Sequence, residues 1–127
     1  MRRIVNISVI ILFIAISLSS CDTCVIRSMD VAEIMMDEDP KSALDTLLTI
    51  DRSKLHNKKQ FARYSLLHSI AYDKNYVDLK SDTIIAPAVF YYKRYGKIED
   101  KIKTFYYRGR IEMNKMNYDQ AMSYFLQ

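Results

Sequence analysis

Two cysteines, two histidines and one short run of acids are the residues of this 127-residue sequence whose types and spacing could do chemistry. Cys21 and Cys24 are spaced C-x-x-C, the spacing of a redox dithiol. A reactive thiol needs a helix N-terminus or a nearby cation to lower its pKa. This pair follows an apolar leader instead, with no strand before it. His56 lies in a Lys-Leu-His-Asn loop and His68 beside Leu67 on a helix, without the H-E-x-x-H spacing that sets two imidazoles on one metal. His68 therefore reads as packing or as the wall of a groove. Asp37-Glu38-Asp39 lacks the alternating oxygen ligands and the Gly of a calcium loop and reads as a turn and helix cap. Glycine occurs only at 96 and 109, which leaves no phosphate-cradling loop, and no serine sits in a G-x-S-x-G elbow. The expectation is a protein without catalysis, metal or cofactor.

The elements that position these residues begin with a leader. Met1-Arg2-Arg3 is a positive start, Val9 to Ile16 is an unbroken apolar run of eight, and Ile4 to Leu18 spans fifteen residues at most. A membrane-crossing helix needs about twenty, so the pattern is that of a secretory signal peptide. Its end, Leu18-Ser19-Ser20-Cys21, resembles the lipobox of bacterial lipoproteins: an aliphatic residue, two small ones and the cysteine that becomes the new N-terminus. The resemblance implies that the signal peptidase recognises Leu18, Ser19 and Ser20 and cleaves before Cys21. It also implies a diacylglyceryl thioether on the Cys21 sulfur and a palmitate-type acyl chain on the freed amine. Small side chains give the peptidase access to the bond, and only a thiol forms the thioether. Two or three chains, each contributing about 0.8 kcal/mol per buried methylene, hold a protein at a membrane. With Cys21 acylated, Cys24 is an odd thiol that stays free or links two molecules through an intermolecular disulfide. The expected localisation is the cell envelope, lipid-anchored to a bacterial membrane; Asp22 does not decide between inner and outer.

Lys and Arg total 19 against 15 Asp and Glu. Without Arg2 and Arg3, the chain beyond the leader has 17 against 15, a net +2. That is too weak and too mixed for the basic stripe of a nucleic-acid protein. Half of the residues are apolar and 27% are charged, which excludes disorder by composition. Two Gly and two Pro are too few for the turns of a sandwich or barrel. Packed helices remain.

Periodicity traces three helix pairs after Cys24. The first runs through Val31 to Met36, breaks at Asp37-Glu38-Asp39-Pro40 and resumes from Lys41 to Ile50, with Asp39 as N-cap and Pro40 at the first helical position. Ala43, Leu44, Leu47 and Ile50 share one face. The second pair begins with Lys58 to Asp73, carrying Phe61, Tyr64, Leu67, Ile70 and Ala71 at helical spacing. A polar loop from Lys74 to Lys80 leads to Ser81-Asp82, a capping signal for Thr83 to Tyr95. Pro87 sets the start of that helix near Thr83 or kinks it, and Gly96 reads as its C′ residue. The third pair runs from Ile98 to Met116, with Glu99 and Lys103 as an i,i+4 ion pair, turns at Asn117 and continues from Tyr118 to Gln127 without a cap.

These pairs repeat one plan: a polar turn, a small Ala and a large apolar residue four later. Ala43 with Leu47, Ala88 with Tyr92 and Ala121 with Phe125 follow it. The plan resembles the tetratricopeptide repeat (TPR), a helical hairpin, with Phe105 and Gly109 matching its first-helix positions. Asp39-Pro40-Lys41-Ser42-Ala43-Leu44, Ala62-Arg63-Tyr64, Asp73-Lys74-Asn75-Tyr76 and Tyr106-Tyr107-Arg108-Gly109-Arg110-Ile111 are similar to the front end of bacterial TPR lipoproteins. The resemblance implies an all-α fold, helical hairpins stacked as a TPR-like right-handed solenoid. Its organisation is residues 1–20 as signal peptide, 21–28 as a lipid-anchored tether and 29–127 as about three hairpins, the last one incomplete. Two positions depart from the pattern. Arg108 and Glu112 stand where a large apolar residue and an aromatic are expected, and as i,i+4 partners they pair on a solvated face. The second hairpin also spaces its helices about eight residues too far apart for a standard repeat.

In such arrays the first helix of each hairpin lines a concave groove. Lys103, Tyr106, Arg110 and Met113 form one stripe of the third hairpin and become the candidate contacts for an extended peptide bearing acidic groups. The equivalent stripe of the second hairpin is Ala62, Ser65, Ser69 and Tyr72. The function expected is a membrane-anchored scaffold that binds a protein or peptide, without nucleic acid. Two alternatives stay open: the sensory front end of a longer envelope signalling protein, and a glycan-binding outer-membrane lipoprotein.

Overall fold

The computed structural model describes residues 23–127. The leader, the cleavage residues Leu18, Ser19 and Ser20, and the lipidation residue Cys21 lie outside the described residues. Six α-helices follow one another with no strand among the described residues: α1 (residues 23–35), α2 (Pro40–Leu48), α3 (Lys58–Lys74), α4 (Ala86–Tyr95), α5 (Ile98–Asn114) and α6 (Tyr118–Phe125). A 3-10 turn, Arg52–Lys54, joins α2 to α3. The fold class is all-α.

Local chemistry explains the helix starts. Asp39 caps α2, its carboxylate accepting from the Ser42 N–H at 3.0 Å and from Ser42 Oγ at 2.6 Å, while Pro40 occupies the first turn. Asn57 caps α3 by accepting from the Gln60 N–H at 3.0 Å, and Gln60 Oε1 accepts from the N–H of His56, the residue before the cap, at 2.7 Å. α1 buries Val25, Met29 and Ala32 at helical spacing, and Met36, just past its end, continues the stripe. Val25 stands in the core, so the helical body starts before residue 29 and takes in residues 23–28 of the expected tether.

α4 departs from expectation at both ends. Residues 82–85 form a turn, and the helix starts at Ala86 with Pro87 in its first turn, where the missing N–H is harmless. The Ser81-Asp82 cap is not made; the Asp82 carboxylate is taken by Arg108 Nη2 at 2.7 Å. Gly96 ends the helix in extended backbone (φ −72, ψ 150), not in the left-handed region. It is small for another reason: a Cβ there would crowd the Tyr92 ring and carbonyl within 2.9 Å.

Packing is sequential. α2 lies against α3, α3 against α4, α4 against α5, α5 against α6, and α3 also touches α5. The small-and-large plan is visible in burial: Ala43, Leu47, Ala88, Tyr92 and Ala121 are all buried. Equivalent contacts recur along the chain. Asn75 Nδ2, at the end of α3, donates to the Pro40 carbonyl at 2.8 Å, and Asn114 Nδ2, at the end of α5, donates to the Leu79 carbonyl at 3.2 Å. Both reach back 35 residues. Ion pairs fasten neighbouring first helices: Arg63 to Asp30 at 2.7 Å and Glu33 at 2.6 Å, then Arg110 to Asp73 at 2.9 Å. One apolar core runs from Val25 in α1 to Ile111 in α5. Phe105 and Ala121 are buried outside it, between α5 and α6.

Candidate functional site

The α5 stripe is divided by its partners. Lys103, Tyr106 and Met113 are exposed, and among the described residues no carboxylate lies within 4.0 Å of Lys103; the expected Glu99–Lys103 ion pair is absent. Arg110 is half-buried, its Nε donating to Asp73 Oδ1 at 2.9 Å, and that bond holds the guanidinium pKa above its ordinary value. Its charge therefore serves the α3–α5 interface. Tyr106 packs edge-on against Tyr107 at 5.0 Å and leans toward Phe125 at 5.8 Å. The corresponding α3 stripe does not line an open groove: Ala62, Ser65 and Ser69 are buried. The reason is the long connection to α4, which folds back over α3 so that Ser65 Oγ donates to the Ile84 carbonyl.

Arg108 and Glu112 do pair, with Nη1 2.8 Å from Oε1, but not on a solvated face. Glu112 is only 2% exposed. Arg108 Nη2 also pairs with Asp82 at 2.7 Å, Lys115 Nζ lies 3.1 Å from Glu112 Oε1, and Asn117 Nδ2 donates to Glu112 Oε2 at 3.0 Å. Arg108 lies over the Tyr124 ring, 5.0 Å from its centroid. Two cations and two anions thus form a neutral cluster joining the 82–85 turn, α5 and the start of α6. Burial alone would raise the Glu112 carboxyl pKa; the bonds from Asn117 and Lys115 and the Arg108 charge outweigh it and hold the value below 4.5.

An apolar concavity lies between the two helices of this hairpin. Ile102, Phe105, Tyr106, Tyr124, Phe125 and Gln127 line a concavity of about 330 Å³. Ile98 and Met122 stand exposed on the same two helices, and Leu126 just past the end of α6. Sequence reasoning passed over Ile102, Tyr124 and Phe125 as a surface. The signal was available: Ile98, Ile102 and Tyr106 recur at helical spacing and stand exposed, with Phe105 buried beside them against Tyr124.

The remaining chemistry-bearing residues are placed as follows. His68 is buried between the rings of Tyr64 (4.3 Å between centroids) and Tyr72 (5.8 Å), and burial pushes its pKa down. His56 gives only its backbone N–H to the α3 cap. Asp39 caps α2 and Asp37 pairs with Lys74 at 2.8 Å. Cys24 is a free, exposed thiol. Among the described residues, no three His, Cys, Asp or Glu side chains gather as a metal site, and no helix is long and apolar enough to cross a membrane.

Fold and site define an all-α protein of successive helical hairpins whose last described hairpin presents an apolar face. Compared with protein-family models, curated proteins and solved structures, the chain matches none.

Proposed function

We propose that this chain is a membrane-anchored cell-envelope lipoprotein whose TPR-like helical repeats act as a scaffold for a protein or peptide partner. The observation that carries the scaffold reading is the open face of α5 and α6. α3 covers the first hairpin and α5 covers the second, each through an apolar stripe fastened by ion pairs. A partner segment with an apolar helical face is the complement of the Ile102, Tyr106 and Phe125 surface in the same sense. Lys103 and Met113 are exposed on the same helix α5, whereas Arg110 is bonded to Asp73 of α3. The recurring 35-residue contacts of Asn75 and Asn114 support the repeat, and Leu18-Ser19-Ser20-Cys21 supports the lipid anchor. The reading assigns no catalysis. Cys24, an exposed thiol on the first turn of α1 and three residues from Cys21 in sequence, is the residue for an intermolecular disulfide.

Two measurements test the two halves. The intact mass of protein from the membrane fraction of an expressing bacterium should equal Cys21 onward plus acyl chains, and Cys21→Ser should move the protein to the soluble fraction. A Cys21→Ser protein still sedimenting with membranes ends the lipid-anchor reading. A photo-cross-linking residue at position 125 should capture a partner in the native envelope, and one at exposed Lys93 should not. Equal yields at both positions remove this face as an interface.

A further inference from the structure

The directions of the helices bring several of their ends to one edge of the molecule. α1 and α3 run parallel: Asp30 and Glu33 pair with Arg63, while Asp37, past the end of α1, pairs with Lys74 at the end of α3. α4 runs antiparallel to α3, since Ser65 bonds the Ile84 carbonyl before α4 begins and Lys58 meets Phe90 near its end. The starts of α1 and α3, the end of α4 and the start of α5 directly after it therefore share one edge. At 1.5 Å per residue from the Asp30–Arg63 ion pair, the first residue of α1 lies about 10 Å and that of α3 about 8 Å toward it.

Positive charge collects there. Residues 51–59, 93–97 and the first turn of α5, 98–101, carry eight cations and three acids, a net +5. The chain beyond the leader is net +2, so the remainder of it is net −3. Of the three acids, Asp51 is taken by Ser53, and Glu99 and Asp100 open α5. Among the described residues, none of the eight cations lies within 4.0 Å of a carboxylate, whereas Arg63, Lys74, Arg108, Arg110 and Lys115 all do. Phe90 stands among these charges, 62% exposed, with Lys58 Nζ 5.9 Å and Arg94 Cζ 6.0 Å from its ring centroid. Phe61, Ala86 and Pro87 extend it into a shallow apolar surface. An exposed ring flanked by unpaired cations suits the headgroup layer of a bilayer, where the ring enters the acyl boundary and the cations meet phosphates.

We propose that this edge docks on an anionic lipid bilayer, with Phe90 inserted at headgroup level and Lys58 and Arg94 against lipid phosphates. An acidic protein matches the charge equally well, but a bilayer also accounts for where the charge lies. The described chain enters α1 at this same edge, two residues after Cys21 in sequence. The proposal rests on the membrane location read from Leu18-Ser19-Ser20-Cys21 and adds an orientation to it. The hairpins stand with the basic edge on the lipid, and the acidic turn Asp37-Glu38-Asp39, at the other end of α1, faces away.

Two measurements test it. Residues 22–127, which hold the whole described core but no acylated cysteine, should co-sediment with phosphatidylglycerol vesicles at about 0.05 M salt. They should not do so with phosphatidylcholine vesicles, and about 0.5 M salt should release them. Lys58→Gln combined with Arg94→Gln, both exposed, should weaken binding about twentyfold, and Phe90→Ser about tenfold. The second measurement uses the acylated protein reconstituted in vesicles. The sequence has no Trp, so Phe90→Trp is a unique fluorescent reporter that brominated phosphatidylglycerol should quench. Tyr76→Trp, 95% exposed at the far end of α3, should stay unquenched. Failure to co-sediment with the anionic vesicles overturns the proposal and leaves the anchor standing; absence of acyl chains with vesicle binding intact overturns the anchor alone. Equal quenching at positions 90 and 76, or unchanged binding in the double variant, also overturns the docking edge. Binding to immobilised poly-glutamate but to neither vesicle overturns it in favour of an acidic protein partner.

Discussion

Tyr76 and Met116 show how single residues carry strain in this chain. Each follows the end of a first helix in the left-handed region, at φ 59 and φ 63, where glycine is the usual occupant. Both complete the same closure: Tyr76 N–H bonds the Asp73 carbonyl and Val77 N–H the Tyr72 carbonyl; Met116 N–H bonds Met113 and Asn117 N–H bonds Glu112. Their side chains are 95% and 76% exposed and contribute little packing. A left-handed L-residue costs about 1–2 kcal/mol, and glycine returns part of that as unfolded-state entropy. Tyr76→Gly and Met116→Gly should therefore each stabilise by about 0.5–1 kcal/mol in urea unfolding; a lower midpoint would mean that the exposed side chains hold contacts worth more than the strain. His68 makes the second prediction. Its pKa is lowered by burial, so below about pH 6.5 the unfolded chain takes up a proton that the folded chain refuses. Stability should fall as pH drops from about 6.5 toward the folded value, and His68→Phe should remove that slope. An unchanged slope in the variant would assign it to another group.

At the scale of elements, the buried charge cluster decides how α5 meets its neighbours. Glu112 accepts from Asn117 and pairs with Arg108 and Lys115, and Asp82 completes the neutrality. Removing the Glu112 charge leaves Arg108 and Lys115 with Asp82, whose side chain is 48% exposed, as their remaining carboxylate, so Glu112→Gln should cost about 1–3 kcal/mol. Replacing the pair together, Arg108→Leu with Glu112→Phe, restores the apolar pattern of the repeat and leaves Asp82 beside Lys115. That double variant should unfold within about 1 kcal/mol of the parent, or above it. The sign of the pH effect follows from the lowered Glu112 carboxyl. Its contribution is complete above about pH 4.5 and is lost as pH falls through the folded value. The parent should lose stability in that acid window, and the double variant should lack this component. A double variant as unstable as Glu112→Gln would show that the cluster contributes more than its neutral replacement.

For the whole molecule, stability passes from neighbour to neighbour. Each helix packs on the next, and α5 with α6 forms an end that touches the rest through α3 and α4. Gly109 is the point of closest approach in that end hairpin, since a Cβ there would overlap the Phe125 ring. Gly109→Ala should cost about 1–3 kcal/mol by overpacking. In a nearest-neighbour array the cost falls locally: hydrogen exchange should speed up in α5 and α6 while the core amides of α3 keep their protection. A uniform acceleration through α3 would mean that the array unfolds as one unit.

Much of the element order was legible, because it depends on neighbours in sequence. Asp39-Pro40 makes the helix start it announces, and Ala43 with Leu47 and Ala88 with Tyr92 lie inside as periodicity requires, while Ala121 is buried and Phe125 is exposed. The sequence by itself determined the all-α class and the hairpin order, since caps and apolar spacing act within a few residues. Only the tertiary structure decided that Ser65 and Ser69 are buried, that Glu112 is buried in a charge cluster with Arg108, and that Asp82 serves Arg108 instead of capping α4. Each of these depends on a segment distant in sequence, the 82–87 connection folding over α3 and reaching α5. Burial of a polar residue is set by what packs against it, and local spacing carries no record of that.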